Sequence, residues 1–303
     1  MKIVNTADPQ TKPSIIAMVY GNGGVGKTSF AATAPKPLLL DCENGSKYFG
    51  MRGIKVDVVQ IQTWKDFEDL ELIETIKGSN YETIIVDPIG EAMDKLISGL
   101  ADFGNSKLVQ PDGSPTMAGW GYVKKKMRNF VKFLRDSGKN IILIAHIDEK
   151  MDDEQRIVKR PLIATKISEE LINMVDVVGY MTTINRDGED VRVIVVDPGN
   201  DKQTAKDRTG QLGKYIEPDF SKIVKACQGT ESYKWSKAKK ADVSDSKTKD
   251  DKVSEKAEKT TTKGKKQATE QTTEEMLEEF DDKVDKTIKP ADVKKKLAQA
   301  KKK

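Results

Sequence analysis

Short apolar runs, each closed by a glycine, a proline or a carboxylate, recur along the first three quarters of the chain and alternate with stretches of helical periodicity. Residues 15–20 form an apolar run that ends in glycine, and residues 29–34 continue as a short helix. Residues 38–40 and 56–61 read as the next two strands. Trp64, Phe67, Leu70, Leu72, Ile73 and Ile76 then fall at helical spacing, which predicts one helix over 64–76. Residues 83–86 are a strand ending at Asp87, followed by a helix from Ile89 to about Leu100. A Gly-, Pro-, Asp- and Ser-rich loop covers 102–119. Val123, Met127, Phe130, Val131 and Leu134 make an apolar stripe on a helix whose other face is basic. Residues 140–145, 176–182 and 191–196 are three more buried strands. Near-continuous apolar strands alternating with helices predict an α/β fold, a mainly parallel central sheet with helices on both faces.

The last part of the chain breaks this pattern. Residues 237–303 carry 20 Lys against 15 Asp and Glu, a net +5, whereas the remainder sums to −1. Only eight Leu, Ile, Val or Phe occur in that tail, too few to offset the entropy of ordering it. The expected organisation is an N-terminal extension over 1–13, a core over 14–229 and a mostly disordered Lys-rich tail over 230–303. Leu277, Phe280, Val284 and Ile288 are spaced for either a transient helix or a peptide that docks on a partner.

At 33% charged and 37% apolar residues, the composition offers no run near the ~18 apolar residues of a membrane span. The polar start carries no signal-peptide pattern. Cys42 and Cys227 with a single histidine make neither a disulfide framework nor a zinc site, so a reducing cytoplasmic setting is expected.

The strongest chemical signal is Gly21-Asn22-Gly23-Gly24-Val25-Gly26-Lys27-Thr28, followed by Ser29, which matches G-x-x-x-x-G-K-[ST] with an apolar strand before it and a helix after. Glycines let successive N–H groups turn onto phosphates, and a helix start adds a positive dipole end. Lys27 would reach the terminal phosphates and the Thr28 hydroxyl would ligate Mg²⁺; the alternative is a plain glycine turn. Asp87, at a strand end, serves either the Mg²⁺ or as a helix N-cap. Glu43, just past the second strand, is either a base for the attacking water or a loop acid. His146 closes the strand over 140–145, where it can meet a γ-phosphate or be structural.

Taken in order, this cradle, then Asp41 and Glu43, Asp87 and His146 resembles the RecA-like P-loop ATPases, in particular phage nucleotide-binding proteins of the single-strand-annealing recombinase type. The resemblance covers about 14–226. It implies an ATP- and Mg²⁺-dependent ATPase that assembles as a ring or filament on single-stranded DNA in a bacterial host's cytoplasm, with ATP shared between subunits. It further implies that Glu43 activates water, and that His146, where relatives usually have glutamine, couples the γ-phosphate to a DNA-contacting loop over 147–166. Lys206 and Arg208 resemble a cation pair projected into the neighbour's ATP site; the alternative is a pair of solvated surface cations. The cradle also resembles that of the plasmid-partitioning ATPases, whose second lysine is replaced here by Asn22. A nucleotide switch acting on protein partners and a non-hydrolysing scaffold therefore stand as alternatives. Trp120 and Tyr122 are either a stacking platform for bases or a core anchor. The basic tail would add weak, salt-sensitive DNA contacts or bind a replication or recombination protein.

Overall fold

A computed structural model describes residues 13–233 except 79, 104–106, 152–154, 187 and 198–202. The tail beyond residue 233, with its spaced apolar residues near Phe280, and the N-terminal extension up to residue 12 lie outside these residues. In chain order the elements are β1 (Ile16–Tyr20), α1 (Lys27–Ala31), β2 (Pro37–Asp41), β3 (Asp57–Gln60), α2 (Trp64–Phe67), α3 (Leu70–Gly78), β4 (Thr83–Asp87), α4 (Ile89–Ser98) and α5 (Met117–Asp136). They continue as β5 (Asn140–Ala145), β6 (Ile147–Met151), β7 (Ile157–Pro161), α6 (Thr165–Met174), β8 (Val177–Arg186), β9 (Glu189–Val195), β10 (Lys206–Asp207), β11 (Tyr215–Ile216) and α7 (Phe220–Cys227).

The expected mainly parallel sheet is present. Its order is β11-β9-β8-β1-β5-β4-β2-β3, with β10 also pairing β8. The six strands from β8 to β3 run parallel, and β9, β10 and β11 join antiparallel at one side. Alternate residues of β1 feed two cores. Ile16, Met18 and Tyr20 meet α4, α5 and α6, while Ala17 and Val19 meet Phe30 of α1 and Phe220 of α7. Helices therefore cover both faces, which is why these strands read as continuous apolar runs. Full burial of Ile16, Met18 or Val19 contributes roughly 1.5–3 kcal/mol each.

Three boundaries differ from expectation for local reasons. The single helix expected over 64–76 is two, because the Asp69 carboxylate accepts from the Glu71 and Leu72 amides and starts a second helix. The loop expected to reach residue 119 ends earlier. Thr116 caps α5 by accepting from the Gly119 amide, and that glycine is required by packing, since a Cβ there would stand 2.1 Å from the Leu108 carbonyl oxygen. Helix α1 begins at Lys27, inside the glycine motif, with Gly26 as its N-cap.

Parallel strands put their carboxyl ends on one edge. Tyr20 pairs with Ala145, Val86 with Leu143, and Asp41 with Asp87. The loop after β1, Glu43 after β2, Asp87 of β4 and His146 after β5 thus emerge side by side, with β5 standing between β1 and β4.

Candidate functional site

The glycine loop turns directly from buried β1 into α1. Gly21 admits no side chain, for a Cβ would lie 2.4 Å from the Met181 carbonyl oxygen on β8. Lys27 is 7% exposed and its Nζ donates to the Gly21 and Asn22 carbonyls at 2.8 and 2.9 Å. Burial holds its ammonium below the usual lysine range, opposed by the charges of Asp87 and Glu43. A desolvated cation facing two carboxylates beside a glycine loop is an arrangement that could receive a polyphosphate.

Asp87 is 6% exposed. Burial pushes its carboxyl up to about 6, against a hydrogen bond from the Thr28 hydroxyl; Glu43 and Asp41 push it further and Lys27 lowers it. The capping alternative is not what the geometry shows: the N-cap of α4 is Pro88, with no side-chain cap bond. No group of three or more His, Cys, Asp or Glu able to hold a metal occurs among the described residues. Mg²⁺ held beside a polyphosphate keeps waters and takes only one or two protein oxygens. The Thr28 hydroxyl and the Asp87 carboxylate, which influence one another's environment, are the oxygens it would use.

Glu43 sits on a turn built by Asp41. The Asp41 carboxylate accepts from the amides of Glu43, Gly45 and Ser46, the Ser46 hydroxyl and the Gln60 amide. Burial would raise Asp41, but these bonds outweigh it and hold the group below the usual carboxylate range. Asp41 is therefore an organiser of the turn. Glu43 Oε2 meets His146 Nε2 at 3.2 Å, both side chains being half-exposed at the mouth of the site.

Lys206 and Arg208 lie at the opposite, amino edge of the sheet. The Lys206 Nζ donates to the carbonyls of Ile172, Asn173 and Val175 at the end of α6. Arg208 bonds the Asn173 carbonyl and Asp176, whose carboxylate also holds the Ile16 amide at the start of β1. Neither reaches this chain's own cradle. Tyr122 packs half-buried against the core, which favours the anchor reading for it, while Trp120 is exposed.

Directly after His146, β6 and β7 pair as an antiparallel hairpin separate from the main sheet. The returning arm expected around 155–158 is β7, and the acidic tip lies outside the described residues. Arg160 is paired with Asp148, and Lys159 meets the Tyr180 hydroxyl. One residue the sequence hid is Tyr20. Its phenol, raised by burial, shares its proton between the carbonyls of Lys159 and Thr204, tying the strand that carries the cradle to the hairpin. In an apolar strand it reads as core, and nothing local marks it.

No helix among the described residues is long and apolar enough to cross a membrane. Among solved structures the chain is similar to a KaiC-like protein from the hyperthermophilic archaeon Pyrococcus horikoshii OT3, at 13% identity and TM-score 0.36, covering 60% of this chain and 77% of that one. It is also similar to the flagellar accessory protein FlaH from Methanocaldococcus jannaschii, at 10% identity and TM-score 0.38, covering 67% and 83%. No curated protein matches. A family model described as an AAA domain matches residues 14–209, from the lead-in to β1 through Thr209. With the glycine cradle set after the central strand of a mainly parallel sheet, and that match running across about two thirds of its length, the chain belongs to the AAA domain family.

Proposed function

We propose that the chain binds MgATP in the loop after β1, hydrolyses it, and works on single-stranded DNA as an oligomer with nucleotide at its subunit interfaces. The observation that carries the ATPase reading is the convergence of Lys27, the Thr28–Asp87 pair and the Glu43–His146 pair on one sheet edge. Lys27 would exchange its two loop carbonyls for phosphate oxygens. Bound Mg²⁺ supplies charge neutralisation on the polyphosphate. Glu43 takes the proton of the attacking water at its carboxylate, and His146, released from Glu43, is positioned to sense the terminal phosphate at the root of the β6–β7 hairpin. Ser29 and the loop amides complete the cradle.

DNA engagement falls to that hairpin, to Lys150 more than to Lys159 and Arg160, which already have partners. In this reading the exposed Arg208 serves a neighbour's site, while Lys206 holds the end of α6. The tail adds a salt-dependent contact, so deleting residues 237–303 flattens the salt slope of DNA binding.

A second reading has its own support. Met151 is 72% exposed and Ile157, its partner across the hairpin, 53%. An apolar pair suits a protein surface better than a phosphate backbone, as a nucleotide switch would need. ATP turnover with and without single-stranded DNA decides between them. Stimulation by DNA, abolished in Glu43→Gln with MgATP affinity retained, is the expected result. Turnover that ignores DNA removes the recombinase reading, and none at all leaves only a nucleotide-binding scaffold.

A further inference from the structure

The sheet order gives the cradle two unlike flanks. On one side β5, β4 and β2 bring His146, Asp87 and Glu43; on the other stand β8 and β9. Asp87, at the end of β4 and electrostatically coupled to Lys27 and Glu43, marks the carboxylate flank as the side of the reacting phosphate. A nucleotide is one extended chain, so its nucleoside end leaves the cradle away from the carboxylates, toward β8 and β9.

A guanidinium waits there. Arg192 of β9 lies opposite Thr183 of β8 and shares the sheet face of Ile194, which packs with Met181 and Phe30 beneath α1. Its Nη1 is 3.6 Å, and its Cδ 4.0 Å, from the point where a Cβ on Gly26 would stand, beside the Met181 Cε at 3.5 Å. Arg128, Arg160 and Arg208 are each paired with a carboxylate, whereas among the described residues no ion pair engages Arg192. A cation without a counter-charge, placed against an anion-binding loop, has its natural partner in the ligand.

We propose that Arg192 binds the nucleotide in cis, giving its guanidinium to the phosphate nearest the nucleoside. This rests on the nucleotide reading above and deepens it. That phosphate is common to ATP and ADP and takes no part in bond cleavage. The contact is thus equal in ground and transition states, and it sets affinity without setting the rate of the chemical step.

Calorimetric titration of the full chain with MgADP and with a non-hydrolysable MgATP analogue tests this, together with KM and kcat for ATP. In Arg192→Ala both affinities fall by a common factor of about ten or more, KM rises in step, and kcat at saturating ATP holds. Arg192→Lys recovers part of the loss, because an ammonium keeps the charge but not the fork. Unchanged affinities overturn the proposal. So does a loss confined to the triphosphate, which would put the cation at the reacting end, or a fall in kcat. The side chain is exposed, so its truncation leaves the core intact; a thermal melt verifies this, and the lysine variant stands in if it does not. Wild-type protein that binds neither ligand refutes the nucleotide reading itself, a different failure from a selective defect in the variant.

Discussion

Two lysines at opposite edges of the sheet make nearly the same bonds. Lys27 donates to two backbone carbonyls at the carboxyl edge and Lys206 to three at the amino edge. Burial lowers the pKa of both. What differs is the surroundings. Lys27 faces Asp87 and Glu43 across a loop of glycines, whereas Lys206 closes the last turn of α6, where carbonyls lack helical partners and the dipole end is negative. Local hydrogen bonding alone therefore does not separate a ligand-seeking cation from a structural one. The first holds carbonyls that an anion would replace, and the second satisfies carbonyls that nothing else would.

Lys27→Ala tests the first half of that contrast with the largest effect. Charge-assisted bonds contribute ~1.5–3 kcal/mol each, so losing the ammonium weakens MgATP binding by roughly a hundredfold or more, as read by calorimetry. The nucleotide-free protein should lose less than MgATP binding does, because the cost of desolvating the ammonium disappears along with its bonds to two carbonyls and its compensation of Asp87. Undiminished affinity would place Lys27 with Lys206 as a structural residue.

Asp87 sharpens the carboxyl edge next. Its folded pKa of about 6 lies above its ordinary 3.8, so the buried charge costs nothing below the lower value, costs progressively more between the two, and costs its full amount above about 6. That rise corresponds to ~3 kcal/mol. Asp87→Asn should stabilise the nucleotide-free protein by up to about that amount at pH 7.5, with the gain vanishing by pH 4 in urea melts. In the wild type, Mg²⁺-dependent nucleotide affinity should weaken as pH falls through about 6. A variant less stable than wild type at pH 7.5 would show that the carboxylate is a structural asset, as Asp41 is.

The edge that carries these groups was largely legible in the sequence, for a physical reason. A phosphate loop is one contiguous string between a strand and a helix, and Asp87 and His146 mark where apolar runs stop. The amino edge was not legible. Lys206 and Arg208 read as projecting or solvated cations because their partners Ile172, Asn173, Val175 and Asp176 lie at the end of α6, over thirty residues upstream, whose helical spacing of Ile167, Leu171 and Met174 says nothing of what its last carbonyls meet. Arg192 was missed because its neighbour Gly26 lies far upstream and only the order of strands brings them together. The break at Asp69 was missed because a side chain competing for the backbone leaves apolar spacing intact.

Lys206→Met tests the second half of the contrast. Removing a donor from three carbonyls at a helix end should cost about 1–3 kcal/mol in urea denaturation while leaving MgATP affinity at one isolated site unchanged. A stable variant with lost turnover only in the assembled state would instead support a role in a neighbour's site.

The smallest stability effect belongs to Glu43 and His146, and its smallness is informative. Both side chains are half-exposed, and a solvent-facing pair of this kind is worth under ~1 kcal/mol. His146→Gln keeps a hydrogen-bonding group at the root of the hairpin, so its midpoint in urea should stay within that margin of wild type. Lys206 cannot leave its carbonyls without weakening the fold, but Glu43 and His146 can separate and re-form at almost no cost. A residue that must answer to a terminal phosphate needs that freedom. If the glutamine variant unfolds markedly earlier than wild type, the pair is a brace and not a contact that nucleotide can open; if it keeps its stability and its ATP turnover changes tenfold or more, the effect has arisen in the chemistry at the mouth of the site and not in the fold that holds it.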